Sequence, residues 1–152
     1  MSNDSQMALR TLLGDYANTL ALKRGEVSSS EIVFDFADVK VPNTAFKDVV
    51  RHFKYDVAEL AIVTYLQARA HGKPLVLLPA VVVGALPHPF LVYNAERGKI
   101  SPADLDGARV GIRAYSVTTA AWLRGALQND FDVDLDSIKW VTFEEPHVAE
   151  YS

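Results

Sequence analysis

The segment from residue 108 to residue 122 has the residue types of an anion-binding site. A short apolar run ends at Arg113, hydroxyl side chains follow, and the pattern then predicts a helix that starts at Thr118. The unpaired N–H groups and the dipole at a helix start attract anions, and a guanidinium group matches a carboxylate. The candidate ligand-binding residues of this segment are Arg113, Tyr115, Ser116, Thr118 and Thr119.

These residues also have ordinary structural interpretations, which the sequence leaves open. Threonines at a helix start commonly cap the helix, and a single arginine commonly forms a surface salt bridge. Trp122 favours a place in the core over stacking on a ligand. The clustering of one cation with several hydroxyl groups nevertheless favours a carboxylate site.

Ionisable side chains elsewhere add four candidates. Asp15 follows the first predicted strand, at the end where α/β sheets bind ligands, although aspartate is also a common turn residue. His88 lies between two prolines in a segment that we predict to be extended. It is interpreted either as a proton donor or as an ordinary loop histidine. Asp56 and Glu59 either orient groups of the site or remain solvated or capping carboxylates, and the second interpretation is favoured.

A metal site near the end of the chain is not favoured. Glu144, Glu145 and His147 are possible ligands, but Pro146 interrupts any helix that would align them, so a solvated terminus is predicted. The sequence contains no glycine-rich dinucleotide fingerprint and no phosphate-loop lysine motif. No cofactor is therefore predicted, and a divalent metal is left open.

Composition limits the class of protein and its partners. The chain has 152 residues, a net charge of −4, no cysteine and 49% hydrophobic residues, as expected for a globular protein without disulfides. The acidic balance excludes nucleic acid as the main partner. The longest apolar stretch, residues 75–86, is too short to span a bilayer. With no secretory signal visible, we expect a cytoplasmic protein, or a periplasmic one if a leader has been removed.

Strand and helix patterns alternate along the chain. Strands are predicted at residues 9–13, 31–37, 74–79, 90–94, 108–113 and 138–143, and residues 56–59 are predicted to form a brief strand or a turn. Helices are predicted at residues 16–22, 42–52, 60–71 and 118–131, with a further helix start at residues 101–105. This alternation predicts an α/β fold with mostly parallel sheets.

Several blocks of the sequence resemble the 4,5-dihydroxyphthalate decarboxylase family. They are residues 13–16, 56–60, 65–69, His88, residues 104–111 and residues 118–125. The resemblance implies the fold of type 2 periplasmic solute-binding proteins, with a first lobe at residues 1–94, a second lobe beginning at residues 95–152 and a ligand between them. Family members are about twice this length, which indicates the N-terminal portion of a longer protein with apolar surface left exposed.

The resemblance also implies a function. A carboxy-lyase of aromatic degradation would remove carbon dioxide from an aromatic carboxylate such as 4,5-dihydroxyphthalate. Arg113 and the helix start at Thr118 and Thr119 would hold one carboxylate, His88 would deliver a proton, and Asp15 or Tyr16 would contact ring hydroxyls. Family members commonly have an arginine before this histidine, where this chain has Pro87.

The alternative is a non-catalytic solute-binding protein or sensor, of the type that serves ABC transporters. It would bind a small aromatic or aliphatic carboxylate with the same groups. Both alternatives predict affinity for a carboxylate, and only the enzyme requires a proton donor and turnover. The oligomeric state is left open by the sequence.

Overall fold

A computed structural model describes residues 6–151 of the chain. The strands and α-helices, in chain order, are β1 (Met7–Leu12), α1 (Leu20–Lys23), β2 (Ile32–Phe36), α2 (Phe46–His52), β3 (Val57–Ala58), α3 (Ile62–Ala70), β4 (Arg109–Ile112), α4 (Thr118–Phe131) and β5 (Lys139–Thr142). Short 3-10 helices lie at Pro42–Ala45, His88–Phe90, Ala95–Arg97, Pro102–Leu105 and Ala149–Tyr151.

The strands form two parallel sheets. In the first sheet the order is β2-β1-β3, with Met7 opposite Ile32 and Thr11 opposite Val57. In the second sheet β4 pairs with β5, from Arg109 opposite Lys139 onwards. Parallel strands separated by helices confirm the α/β class that the alternating pattern predicts.

The chain divides into two compact units. The first contains the residues up to Ala61 together with Ala68–Gly84, and the second contains Ile62–Gln67 together with the residues from Ala85 onwards. The first sheet therefore belongs to the first unit, and the second sheet with α4 belongs to the second. The lobe boundary after residue 94 stays a prediction.

The first unit buries the end of β1 and one face of α2. Leu12 is 1% exposed, and Val49 and Val50 are buried on α2. The helix predicted at residues 42–52 is confirmed, since Pro42 opens a 3-10 turn that leads directly into α2. Phe53 ends α2 in a left-handed conformation with φ 48°, and the N–H of the following Lys54 donates to the Asp48 carbonyl at 3.3 Å.

The second unit has its own core beside β4 and β5. Buried Leu127, Val133 and Ile138 form a cluster, against which four partly buried side chains pack: Leu105, Val110, Leu135 and Trp140. Gly111 permits the approach of the Phe143 ring, because a Cβ at this position would lie 2.8 Å from a ring carbon. The strand–turn–helix unit predicted at residues 108–131 is thus confirmed as β4 and α4.

The strands predicted at residues 74–79 and 90–94 are wrong. Residues 73–87 and 91–94 lie outside any helix or strand, and residues 88–90, part of the segment predicted to be extended, form a 3-10 turn. A strand needs a neighbour that pairs with its N–H and C=O groups, and the described residues supply none here. The large side chains exposed in this apolar segment, residues 76–93, are Val76, Leu77, Leu78, Val81, Val83, Leu86, Phe90, Leu91, Val92 and Tyr93.

Two smaller expectations also differ from the structure. The first helix is shorter than predicted, because residues 17–19 form a turn before α1 begins at Leu20. Trp122 is 61% exposed on α4, so its predicted place in the core is wrong. None of the helices within residues 6–151 combines the length and the apolar character needed to cross a membrane.

Candidate functional site

The carboxyl ends of β4 and β5 bring Arg113 and Glu144 together. The Arg113 carbonyl accepts the backbone N–H groups of Phe143 (3.2 Å) and Glu144 (2.7 Å). The Arg113 Nε then donates to Oε2 of Glu144 at 2.8 Å, with both side chains about half exposed. The salt-bridge interpretation of Arg113 is therefore correct, and a ligand carboxylate would compete with Glu144 for this guanidinium.

His147 lies beside this ion pair. Burial lowers the pKa of His147, the Arg113 charge lowers it further, and Glu144 opposes the shift. Glu144 and Glu145 are exposed, whereas His147 is half-buried and the next residue, Val148, is fully buried. The solvated terminus predicted for Glu144, Glu145 and His147 is therefore confirmed for the two glutamates and wrong for His147. Among residues 6–151, no group of three or more histidine, aspartate and glutamate side chains is placed to hold a metal ion.

The start of α4 differs from a helix with a threonine cap. Val117 occupies the N-cap position, where it offers no side-chain hydrogen bond, and Thr118 is already the first helical residue. The Thr118 hydroxyl oxygen lies 3.4 Å from the backbone nitrogen of Val63, a long contact. Thr119 is exposed and Ser116 is partly buried. The capping interpretation is thus wrong for both threonines, and their ligand-binding role stays a prediction.

Tyr115 is held by two neighbours in the second unit. The guanidinium carbon of Arg124 lies 3.4 Å from the Tyr115 ring centroid, and the Trp140 ring meets Tyr115 edge-on at 6.2 Å. One terminal nitrogen of Arg124 is buried and makes no hydrogen bond to any residue that the structure describes. Arg124 was not among the residues predicted from the sequence, where its only signal was its place in residues 118–125, a block that resembles the decarboxylase family.

A second arrangement of polar groups lies at the carboxyl end of β1. Glu59 follows β3, and its Oε2 accepts the Gly14 N–H while its Oε1 accepts the Tyr16 hydroxyl, both at 2.7 Å. The Tyr16 ring covers Gly14 so closely that a Cβ there would lie 2.6 Å from ring atoms. Glu59 is therefore neither solvated nor a helix cap, because its carboxylate joins the loops that follow β1 and β3.

Two residues around α1 brace the same loop. Thr19 is buried, and its hydroxyl accepts the Tyr16 N–H (2.9 Å) and donates to the Gly14 carbonyl (2.8 Å). Lys23 donates to the Leu13 carbonyl at 2.9 Å and forms an ion pair with Asp15. Asp15 itself is 71% exposed. Asp15 thus lies at the surface, paired with Lys23, whereas Tyr16 is partly buried.

The environment of Tyr16 keeps its hydroxyl protonated. Burial, the hydrogen bond to Glu59 and the charge of Glu59 together raise the pKa of Tyr16 to about 12. The phenol therefore remains a neutral donor to the carboxylate throughout the neutral range. Nothing in the spacing of residues 16 and 59 signals this pair, because parallel pairing of β1 and β3 creates it.

Asp56 ties strands together and takes no part in this arrangement. It accepts hydrogen bonds from the backbone and the guanidinium of Arg10, between 2.9 and 3.0 Å. These bonds lower the pKa of Asp56 to about 2. An open cavity of about 230 Å³ nearby contains none of the predicted site residues, and it is lined by Arg10, Thr11, Asp35, Ala37, Lys54 and Tyr55.

The predicted site residues thus fall into three places. The second unit groups Arg113, Tyr115, Ser116, Thr118 and Thr119 around the start of α4, and the first unit holds Asp15 and Tyr16. His88 is exposed in the 3-10 turn of the second unit. Its role as a proton donor stays a prediction.

Comparison with known proteins relates the chain to two decarboxylases. It is 31% identical over 147 residues, or 93% of its length, to the 4,5-dihydroxyphthalate decarboxylase of Comamonas testosteroni. It is 29% identical over 90% of its length to the 4,5-dihydroxyphthalate decarboxylase of Pseudomonas putida. The chain spans about half of each relative. The shares are 44% and 53% of their lengths, and no family model matches the chain.

Proposed function

We propose that this protein is a decarboxylase-like member of the 4,5-dihydroxyphthalate decarboxylase family, acting on an aromatic carboxylate with the fold of type 2 periplasmic binding proteins. The observation that carries the proposal is the similarity to two decarboxylases over at least 90% of the chain. The α/β class, the parallel strands and the strand–turn–helix at β4 and α4 support it.

The chemistry requires one proton and one anion site. In 4,5-dihydroxyphthalate each carboxylate is para to a ring hydroxyl, which stabilises a ring protonated at the carboxyl-bearing carbon. His88 donates that proton, the bond between the ring and the carboxylate breaks, and its electron pair restores the aromatic ring as carbon dioxide leaves. Arg113 and the start of α4 hold the remaining carboxylate.

A carboxylate-binding protein without catalysis is the second candidate. It is favoured by the position of His88, which is exposed on a short turn. Exposure leaves this histidine without the surrounding packing that normally orients a catalytic acid. The same anion-binding groups serve both candidates, so binding alone does not separate them.

The ion pair between Arg113 and Glu144 gives a test of the anion site. Arg113→Leu is expected to weaken binding of 4,5-dihydroxyphthalate by about 1–3 kcal/mol, since a charge-assisted contact is lost. Glu144→Gln is expected to strengthen it by about 0.2–1 kcal/mol, because the competing carboxylate is gone. Calorimetric titration of the 152-residue chain measures both changes.

The matched control is Glu26→Gln, which removes the acidic partner of Arg24 at another surface ion pair. Its affinity is expected to equal that of the unmodified chain. Unchanged affinity in both the Arg113 and the Glu144 variants would remove this pair from the ligand site.

A further inference from the structure

The carboxylate of Glu59 fixes the direction of one hydrogen bond in the first unit. Both oxygens are engaged, Oε2 by the Gly14 N–H and Oε1 by the Tyr16 hydroxyl, each at 2.7 Å. The backbone of Glu59 is anchored as well, since its N–H donates to the Leu12 carbonyl at 2.9 Å. An ionised carboxylate only accepts hydrogen bonds, so the Tyr16 proton points to Glu59.

This direction determines what Tyr16 can offer to a ligand. A phenol has one proton to donate and oxygen lone pairs to accept with. With the proton committed to Glu59, the oxygen can only accept from a third group. A ligand hydroxyl donates to such an oxygen, whereas a carboxylate brings lone pairs and a charge of the same sign as Glu59.

The loop also prevents Tyr16 from adopting another arrangement easily. Thr19 bonds to the Tyr16 N–H and to the Gly14 carbonyl, and the ring rests on Gly14. A side chain braced in this way loses little conformational freedom when a ligand binds. The Tyr16 oxygen is therefore an acceptor held in place at the carboxyl end of a parallel sheet, where α/β proteins commonly bind ligands.

We propose that Glu59 is a positioning residue that makes the Tyr16 hydroxyl an acceptor, so that this part of the protein selects ligands carrying a hydroxyl donor. The ligand class, a hydroxylated aromatic carboxylate, rests on the proposed function. The direction of the hydrogen bond rests on the geometry of Glu59, Gly14 and Tyr16 alone.

The test is Glu59→Gln in the 152-residue chain. The glutamine oxygen can still accept the Gly14 N–H, but its NH₂ group now donates to the Tyr16 oxygen and frees the phenol proton. Affinities are measured for 4,5-dihydroxyphthalate and for 4,5-dimethoxyphthalate, which has no ring hydroxyl to donate. The unmodified chain is expected to prefer the hydroxyl compound by about tenfold or more, and Glu59→Gln is expected to lose most of that preference.

An absorbance titration of tyrosine gives an independent readout. The ionisation assigned to Tyr16, by difference with Tyr16→Phe, is expected near pH 12 in the unmodified chain. In Glu59→Gln it is expected to move toward 10, because the negative neighbour is gone. Glu26→Gln, at an exposed carboxylate, is the control and is expected to change neither the titration nor the preference.

The outcomes distinguish failure of the inference about Glu59 from failure of the proposed function. An unchanged preference in Glu59→Gln overturns the positioning role of Glu59 and leaves the decarboxylase proposal standing. If no variant binds either compound, both proposals are overturned. If Glu59→Gln fails to fold, Tyr16→Phe replaces it, since it keeps Glu59 and removes the hydroxyl, and a preference retained in Tyr16→Phe overturns the inference.

Discussion

Replacing His88 by asparagine is expected to lower carbon dioxide release from 4,5-dihydroxyphthalate by about 10²–10⁴-fold, the usual contribution of a general acid. Asparagine is similar in size and forms hydrogen bonds, but it delivers no proton. Because His88 is exposed in a 3-10 turn, the substitution is expected to leave folding intact. Ligand affinity is expected to change little, since the lost interaction belongs to the transition state.

The control for this variant is His52→Asn, which changes an exposed histidine at the end of α2. Its rate of product formation is expected to match that of the unmodified chain. Steady-state rates and calorimetric affinities are measured on the same preparations. Equal rates for His88→Asn and the unmodified chain would show that another group supplies the proton.

Replacing Leu12 by alanine is expected to lower the free energy of unfolding by about 2–5 kcal/mol. Leu12 is 1% exposed at the end of the central strand of the first sheet. Truncation removes buried methyl groups and leaves a cavity that neighbouring strands fill only in part. The loss also weakens the base of the loop that carries Gly14 and Tyr16.

The apolar segment provides a control of the same chemistry. Leu78 is 58% exposed, so Leu78→Ala removes the same atoms from a surface position and is expected to change stability by no more than about 0.5 kcal/mol. Urea unfolding of both variants, followed by circular dichroism, measures the difference. Equal losses in the two variants would mean that residues 76–93 are packed in solution.

Local patterns predicted the parts of the fold whose partners lie in the same unit. Alternation at residues 31–37 became β2, and the apolar run before Arg113 became β4, each paired with a parallel neighbour. The proline at residue 42 correctly predicted where the helical segment leading into α2 starts. Such features depend on residues a few positions apart, which a sequence displays directly.

The wrong predictions share a physical cause. Apolar composition predicts burial, but a strand forms only where another strand pairs with it, so residues 74–79 and 90–94 remain unpaired and largely exposed among the described residues. Trp122 likewise fits a core by its type and lies exposed on α4. Residue type indicates that a side chain favours burial or a strand, but it does not show whether the rest of the chain supplies a core or a pairing strand.

The sequence identified residues of the candidate site but not the contacts between them. The sequence pointed to Arg113, Thr118 and Tyr16, whereas the bonds from Arg113 to Glu144 and from Tyr16 to Glu59 join residues 31 and 43 positions apart. Parallel pairing of neighbouring strands brings such carboxylates to the end of the adjacent strand. Spacing along the chain does not reveal these contacts.

The most direct measurement of the central claim is turnover by the unmodified 152-residue chain, with and without added divalent metal. Carbon dioxide and 3,4-dihydroxybenzoate formed from 4,5-dihydroxyphthalate are both quantified, and His88→Asn is measured in parallel. The reaction yields the two products in equal amounts. The decarboxylase proposal predicts both products from the unmodified chain and their loss in the variant. Tight binding of 4,5-dihydroxyphthalate without either product would contradict it and support a carboxylate-binding protein.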